Sequence, residues 1–246
     1  MKFFPRAASS LLFVALAACG GSQATGSSGT PMGAMFTDTY DAAEQGALSP
    51  AAVRAILADG NRRFVANTPR HNDLAAQRAA TATSQAPIAA ILSCIDSRSA
   101  PETVFDLAIG DVFAPRIAGN FVTPELIGSL EFATKVAGSK LVVVMGHTEC
   151  GAVKGACDGV RLGNLTSVIE AIEPSVDAVA AEVGGERSSK NKPLVTAATL
   201  HNVERNVALL REKSQVLREL EAAGSIAIVG AIHDLATGEV QFIDPS

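Results

Sequence analysis

Apolar residues recur along this chain in two rhythms. Three short runs, Pro87–Leu92, Leu141–Met145 and Ile226–Ile232, carry no charge and are apolar almost throughout. Such runs read as strands buried on both faces. Between them, apolar positions return at helical spacing. Val53, Ile56, Leu57 and Phe64 mark one helix, and Leu126, Leu130, Ala133 and Val136 another. Further helices are expected over Asn164–Val183 and Val195–Leu220, the latter with Leu200, Val203, Val207 and Leu210 on one face. Ser49-Pro50 and Thr123-Pro124 each offer a capping hydroxyl and a proline at the first helical position. Asp59-Gly60-Asn61 reads as a local break. Ser99, Pro101 and Glu102 read as cap, first turn and favourable charge of a short helix. Val112–Arg116 is a short strand, and Val240–Ile243 an edge strand after the Thr237-Gly238 turn.

Strands alternating with helices predict an α/β fold, a mostly parallel central sheet flanked by helices. An N-terminal helical arm, Ser49–Ala66, packs on the domain or on another subunit. The edge strand is antiparallel. Leu141–Met145, the most apolar run, lies mid-sheet. Ligand sites in such sheets lie beyond the carboxyl ends of the strands.

Two polar stretches fall at those ends. Ser93-Cys94-Ile95-Asp96-Ser97-Arg98 follows one apolar run, and Gly146-His147-Thr148-Glu149-Cys150 another. If extended geometry persists past the strand, Cys94, Asp96 and Arg98 share a face and Ile95 points away. Thiolates and an imidazole suit a tetrahedral zinc ion, and Cys94, His147 and Cys150 supply three ligands. The fourth position falls to Asp96 or to water. Water there makes a site catalytic. A closed structural site with Asp96 bound has no need of Arg98, whereas a switchable carboxylate does.

The N-terminus adds an address. Lys2 and Arg6 precede a short apolar core, Leu11–Leu16, that is too short to span a bilayer. Leu16-Ala17-Ala18-Cys19 resembles a bacterial lipoprotein lipobox. That implies cleavage before Cys19 and lipid on its thiol and amino group. The expected division is a signal peptide over residues 1–18, a lipidated cysteine and flexible Gly/Ser/Thr-rich tether over 19–47, and a folded domain over 48–246. Gly20 is compatible with outer-membrane sorting, on the periplasmic side. Membrane contact is then through the lipid on Cys19 only. The four cysteines do not form a disulfide framework, and Cys157 reads as a small buried residue. His71, His201 and His233 lack ligand spacing. With a formal charge of −5, no tryptophan and no basic stripe, nucleic acid is excluded as a partner.

The paired motifs resemble those of β-class carbonic anhydrases, and Arg116–Asn120 matches a segment that the family has between them. The resemblance implies zinc on Cys94, His147 and Cys150. It also implies reversible hydration of carbon dioxide to bicarbonate by a zinc-bound hydroxide that the Asp96–Arg98 dyad orients. Asp96 would replace water on zinc in a closed state. By the same resemblance Gln85 and Phe113 lie near substrate, and the chain self-associates as a dimer or tetramer. There are departures. Phe132 stands where many members have tyrosine, and without tryptophan the pocket through which bicarbonate inhibits some members is not intact. Two other readings keep the same metal site: hydrolysis of carbonyl sulfide or carbon disulfide, and bicarbonate sensing with negligible turnover.

Overall fold

The computed structural model describes residues Met35–Asp244. The expected signal peptide and Cys19 lie outside them. Five strands form one sheet: β1 (Ala89–Ser93), β2 (Val112–Phe113), β3 (Leu141–His147), β4 (Ala227–His233) and β5 (Val240–Ile243), in the order β2-β1-β3-β4-β5. The first four are parallel and β5 is antiparallel to β4, as the apolar pattern predicts. β3 is central and buried along its whole length. Its side chains alternate between two cores. Val143 and Met145 join Val53, Leu57 and Ile91 on one face. Val142 and Val144 join Val203, Val207 and Leu210 on the other.

The folded chain begins ahead of residue 48. Phe36 bridges to Asn72, and α1 (Ala42–Ala47) is closed by a capping box between Asp41 and Glu44. From α1 the buried Gln45 amide donates to the carbonyls of Pro87 and Ala137, each at 2.8 Å. α2 (Pro50–Val65) starts at the Ser49 cap and runs unbroken through Gly60. Gly60 marks a contact, not a break: a Cβ there would lie 1.8 Å from the Phe105 carbonyl oxygen. Beside it the buried Asn61 donates to the carbonyls of Val104 and Gly238 and accepts from the Val240 amide. Residues of poor helix propensity therefore serve a close approach of backbones. Val53 and Leu57 are fully buried on the sheet, so the arm packs on its own domain.

The sequence pattern misses α3 (Leu74–Thr81), which Asp73 caps. The next helix, α4 (Pro101–Val104), has Ala100 at its cap position and no side-chain cap. Ser99, the expected cap, is instead buried against His233. α5 (Pro124–Glu131) passes into a π-helical turn, Phe132–Val136. The wider turn rotates the buried stripe onto Ile127, Leu130, Ala133 and Thr134. Val136, expected inside, is 71% exposed. α6 (Gly151–Cys157) and α7 (Leu165–Val183) follow. The single helix expected over Val195–Leu220 is two, α8 (Lys192–Lys213) and α9 (Gln215–Ala222). Ser214 leaves helical geometry between them, caps α9 and donates to Glu131 on α5. Leu200 falls off the buried face and is 40% exposed. Among the described residues no helix is long and apolar enough to cross a membrane.

Two stability measurements check this packing. Gly60→Ala should cost about 3 kcal/mol in denaturant unfolding, because backbone must move to admit the methyl; a cost under about 0.5 kcal/mol would contradict the contact. Asp111 is a buried carboxyl whose Oδ2 accepts from the Ala108 amide, while Oδ1 has no partner. Burial pushes its pKa up to about 6. The native state then binds more protons than the unfolded chain between pH ~4 and ~6, so stability falls as pH rises through that window and is level above it. Asp111→Asn should flatten that slope, and an unchanged slope would refute it.

Candidate metal centre

β1 and β3 are neighbours in parallel register, with Ser93 beside Met145. The segments leaving their carboxyl ends therefore meet directly. One donor atom each from Cys94, His147 and Cys150 lies within 4.8 Å of the others, and all three residues are buried. Among the described residues this is the single cluster of its kind. To place His147 and Cys150 at one point the chain turns sharply between them, and Glu149 takes a left-handed conformation with φ 60°. Its carboxylate is exposed and pairs with Lys154. Backbone strain of this kind persists only where the surroundings enforce it.

The protonation pattern favours a cation. His147 Nδ1 lies 2.9 Å from the Thr148 carbonyl oxygen. A carbonyl only accepts, so Nδ1 carries the proton and Nε2 presents a lone pair. Nε2 is buried and has no hydrogen-bond partner. The hydrogen bond from Cys150, helped by the Gly119 amide, pushes the Cys94 thiol down against the effect of burial. The same bond, together with burial, pushes Cys150 up. Two buried sulfurs this close repel one another once both are ionised, and a cation between them removes that repulsion. Two sulfurs and one imidazole nitrogen, buried and convergent, fit a zinc ion.

Asp96 and Arg98 meet by a different route from the one the alternation of a strand implies. β1 ends at Ser93, and the Ser99 amide donates to the Asp96 carbonyl at 3.0 Å, so residues 96–99 form a turn. Asp96 Oδ1 accepts from the Arg98 amide (3.0 Å) and Nε (2.9 Å), and Oδ2 accepts from the second guanidinium nitrogen (2.8 Å). This bidentate grip holds the Asp96 carboxyl well below the usual carboxylate range. Oδ2 lies 3.9 Å from His147 Nε2. The carboxylate is thus on the arginine, beside the cluster and not inside it. Ile95 points out to solvent and is 61% exposed.

Arg116 completes the frame, a role the sequence pattern does not disclose. Its guanidinium donates to the carbonyls of Cys94 (2.8 Å) and Asp96 (2.6 Å), the two residues that matter most in the first motif. The Gly119 amide reaches Cys94 Sγ at 3.4 Å. A Cβ on Gly119 would lie 2.3 Å from Ile172, and its φ is 80°, so the position requires glycine. An arginine and a glycine three residues apart between two ligand motifs are the only trace of this in the sequence.

The expected substrate residues are not brought to this cluster within the chain. Gln85 is exposed ahead of the amino end of β1, while Cys94 lies beyond its carboxyl end. Phe113 packs edge-to-face on Phe132 with centroids 6.1 Å apart. Both line a hollow of about 470 Å³ between β2 and α5, shared with Ala90, Pro115 and Leu130. Cys157 is a free buried thiol in the core under α6 and α7, outside the cluster.

Comparisons with known proteins point to one family. A family model described as carbonic anhydrase matches residues 89–240. Carbonic anhydrase 2 of Mycobacterium tuberculosis is 36% identical over 202 residues, covering 80% of this chain and 94% of the relative. A carbonic anhydrase of Pseudomonas aeruginosa is 34% identical over 66% of this chain and 76% of its own. Among solved structures, a β-carbonic anhydrase of Aspergillus fumigatus superposes with a TM-score of 0.62 at 29% identity, covering 79% of this chain and 91% of that one. A strand-end cluster of two thiols and an imidazole, in a parallel sheet with one antiparallel edge, is thus found in a chain that belongs to the β-class carbonic anhydrase family.

Proposed function

We propose that this carbonic anhydrase uses zinc on Cys94, His147 and Cys150 to interconvert carbon dioxide and bicarbonate, with Asp96 and Arg98 orienting the nucleophile. The observation that carries the reading is the placement of Asp96: ionised, gripped by Arg98 and 3.9 Å from the free lone pair of His147. Zinc supplies Lewis acidity, which makes water a nucleophile near neutral pH. The protein supplies the rest. Oδ1 of Asp96 is taken up by two bonds from Arg98, whereas Oδ2 takes one and keeps acceptor capacity on the side of the cluster. There Oδ2 accepts a hydrogen bond from the attacking water and turns its lone pair toward the substrate carbon. Arg98 keeps the carboxylate charged and away from the ligand position. Arg116 fixes the backbone beneath both. Carbon dioxide gains the oxygen of one water and leaves as bicarbonate. The second product is a proton, and Arg98, with its side chain 57% exposed, puts the dyad within reach of solvent.

Self-association belongs to the same reading. Gln85, Phe113 and Phe132 lie away from the cluster of their own chain, and relatives of solved structure from Sordaria macrospora are described as tetrameric. In a dimer or tetramer these side chains can wall the site of a neighbouring copy. The sequence Leu16-Ala17-Ala18-Cys19 supports export as a lipoprotein, lipid-anchored on the periplasmic side of the outer membrane, with residues 1–18 removed.

Zinc-loaded protein should hydrate carbon dioxide in a stopped-flow indicator assay. Asp96→Asn should lower kcat at least ~100-fold while zinc remains bound. Cys150→Ser should lose both zinc and activity, and full activity in that variant would sink the ligand assignment. For the N-terminus, mass spectrometry of the membrane fraction should find Cys19 as the first residue, carrying acyl chains. An unmodified chain starting elsewhere would overturn the anchor.

A further inference from the structure

We infer that His233, acting through Ser99, is a positioning residue for the Asp96–Arg98 pair. The inference deepens the catalytic reading above and rests on it. His233 ends β4 in register with His147 on β3. Its ring is buried, and Nδ1 lies 3.0 Å from Ser99 Oγ, which is buried as well. On its other side the ring meets Phe64 of α2 edge-on, with centroids 6.2 Å apart. The imidazole is therefore clamped and points at one hydroxyl.

That hydroxyl belongs to the last residue of the dyad turn. The Ser99 amide closes the turn on the Asp96 carbonyl, so moving Ser99 moves both Asp96 and Arg98. β1, which leads into the turn, and β4 are not neighbours, because β3 lies between them. The Ser99–His233 bond is thus a brace that crosses over the strand bearing His147. The backbone of His233 holds the other half of the site. Its carbonyl accepts from the Thr148 amide at 3.0 Å, and the Leu235 amide donates to Thr148 Oγ1 at 2.9 Å. Thr148 in turn accepts from His147 Nδ1. One residue of β4 therefore ties the dyad to the metal ligands and sets the gap between Asp96 and His147.

A stabilising role accounts poorly for this pair. Buried polar pairs gain little over apolar residues of similar shape, and His233 Nε2 is left buried with no partner. What the pair does supply is a defined position. Arg116 holds the dyad turn by its carbonyls on one side, and Ser99–His233 holds it on the other. With the brace gone, the turn can shift and bring the Asp96 carboxylate toward the fourth ligand position.

The test uses Ser99→Ala and His233→Phe, with Ser99→Thr and His233→Asn as conservative partners that keep a polar atom near each end of the bond. Each protein is loaded with cobalt(II) in place of zinc, and metal content, the visible absorption spectrum, and kcat and KM for carbon dioxide are measured. Ser99→Ala and His233→Phe should each keep one metal per chain, lose about tenfold in kcat with KM unchanged within about twofold, and shift the cobalt spectrum. The conservative variants should recover most of the kcat and the wild-type spectrum. Wild-type kcat and spectrum in Ser99→Ala or His233→Phe, whatever happens to the melting temperature, would overturn the inference. So would a loss of kcat that merely follows loss of metal. If the wild-type protein itself does not hydrate carbon dioxide, the functional reading fails separately, and unchanged cobalt spectra in the two variants would still defeat the brace.

Discussion

The Asp96 carboxylate has one positive partner, the guanidinium of Arg98, and lies beside a cluster of two thiols and an imidazole that could hold a second, a metal cation. Much of the surrounding structure bears on which one holds it. Arg98 makes three hydrogen bonds to the carboxylate at 2.8–3.0 Å. Charge-assisted bidentate pairs of this kind are strong and directional. Yet a divalent ion held by Cys94, His147 and Cys150 would be a serious competitor, because Asp96 Oδ2 lies 3.9 Å from His147 Nε2. The grip prevails only if the backbone of residues 94–99 cannot follow the carboxylate inward. That is the task of Arg116, the Gly119 turn and the Ser99–His233 contact.

The parallel sheet makes the arrangement possible at low cost. β1 and β3 end side by side, so ligands far apart in sequence need no long loops to converge. The sharp step falls on Glu149, whose left-handed backbone is tolerated because His147 and Cys150 around it are buried. On the far edge, the π-helical turn exposes Phe132 and Val136 next to the hollow lined by Phe113. Phe113 and Phe132, expected around a small apolar substrate, thus lie at the sheet edge and not beside Cys94, His147 and Cys150.

The sheet was legible because fully buried strands leave an unmistakable mark: continuous apolar runs with no charge, as in Leu141–Met145. The convergence of Cys94, His147 and Cys150 was legible because thiols and imidazoles are few and these fall at strand ends. What stayed hidden depends on tertiary contact. Gly60-Asn61 looks like a break until Phe105 and Gly238 are seen against it. Ser99 looks like a helix cap until His233 is seen across β3. Ser214 looks like a helix interior until Glu131 offers it a partner. In each case a small polar residue has two uses, one local and one distant, and the local pattern shows only the first. Arg116 is the converse case, an arginine in a short strand whose backbone targets can be identified only once Cys94 and Asp96 are placed in space.

The most direct measurement is a crystal structure of the zinc-loaded protein at pH 7.5, with the metal located by its anomalous scattering. Zinc is expected on Cys94 Sγ, His147 Nε2 and Cys150 Sγ, with both oxygens of Asp96 still on Arg98. A metal held by other residues, or Asp96 on the metal with Arg98 turned away, would contradict that expectation.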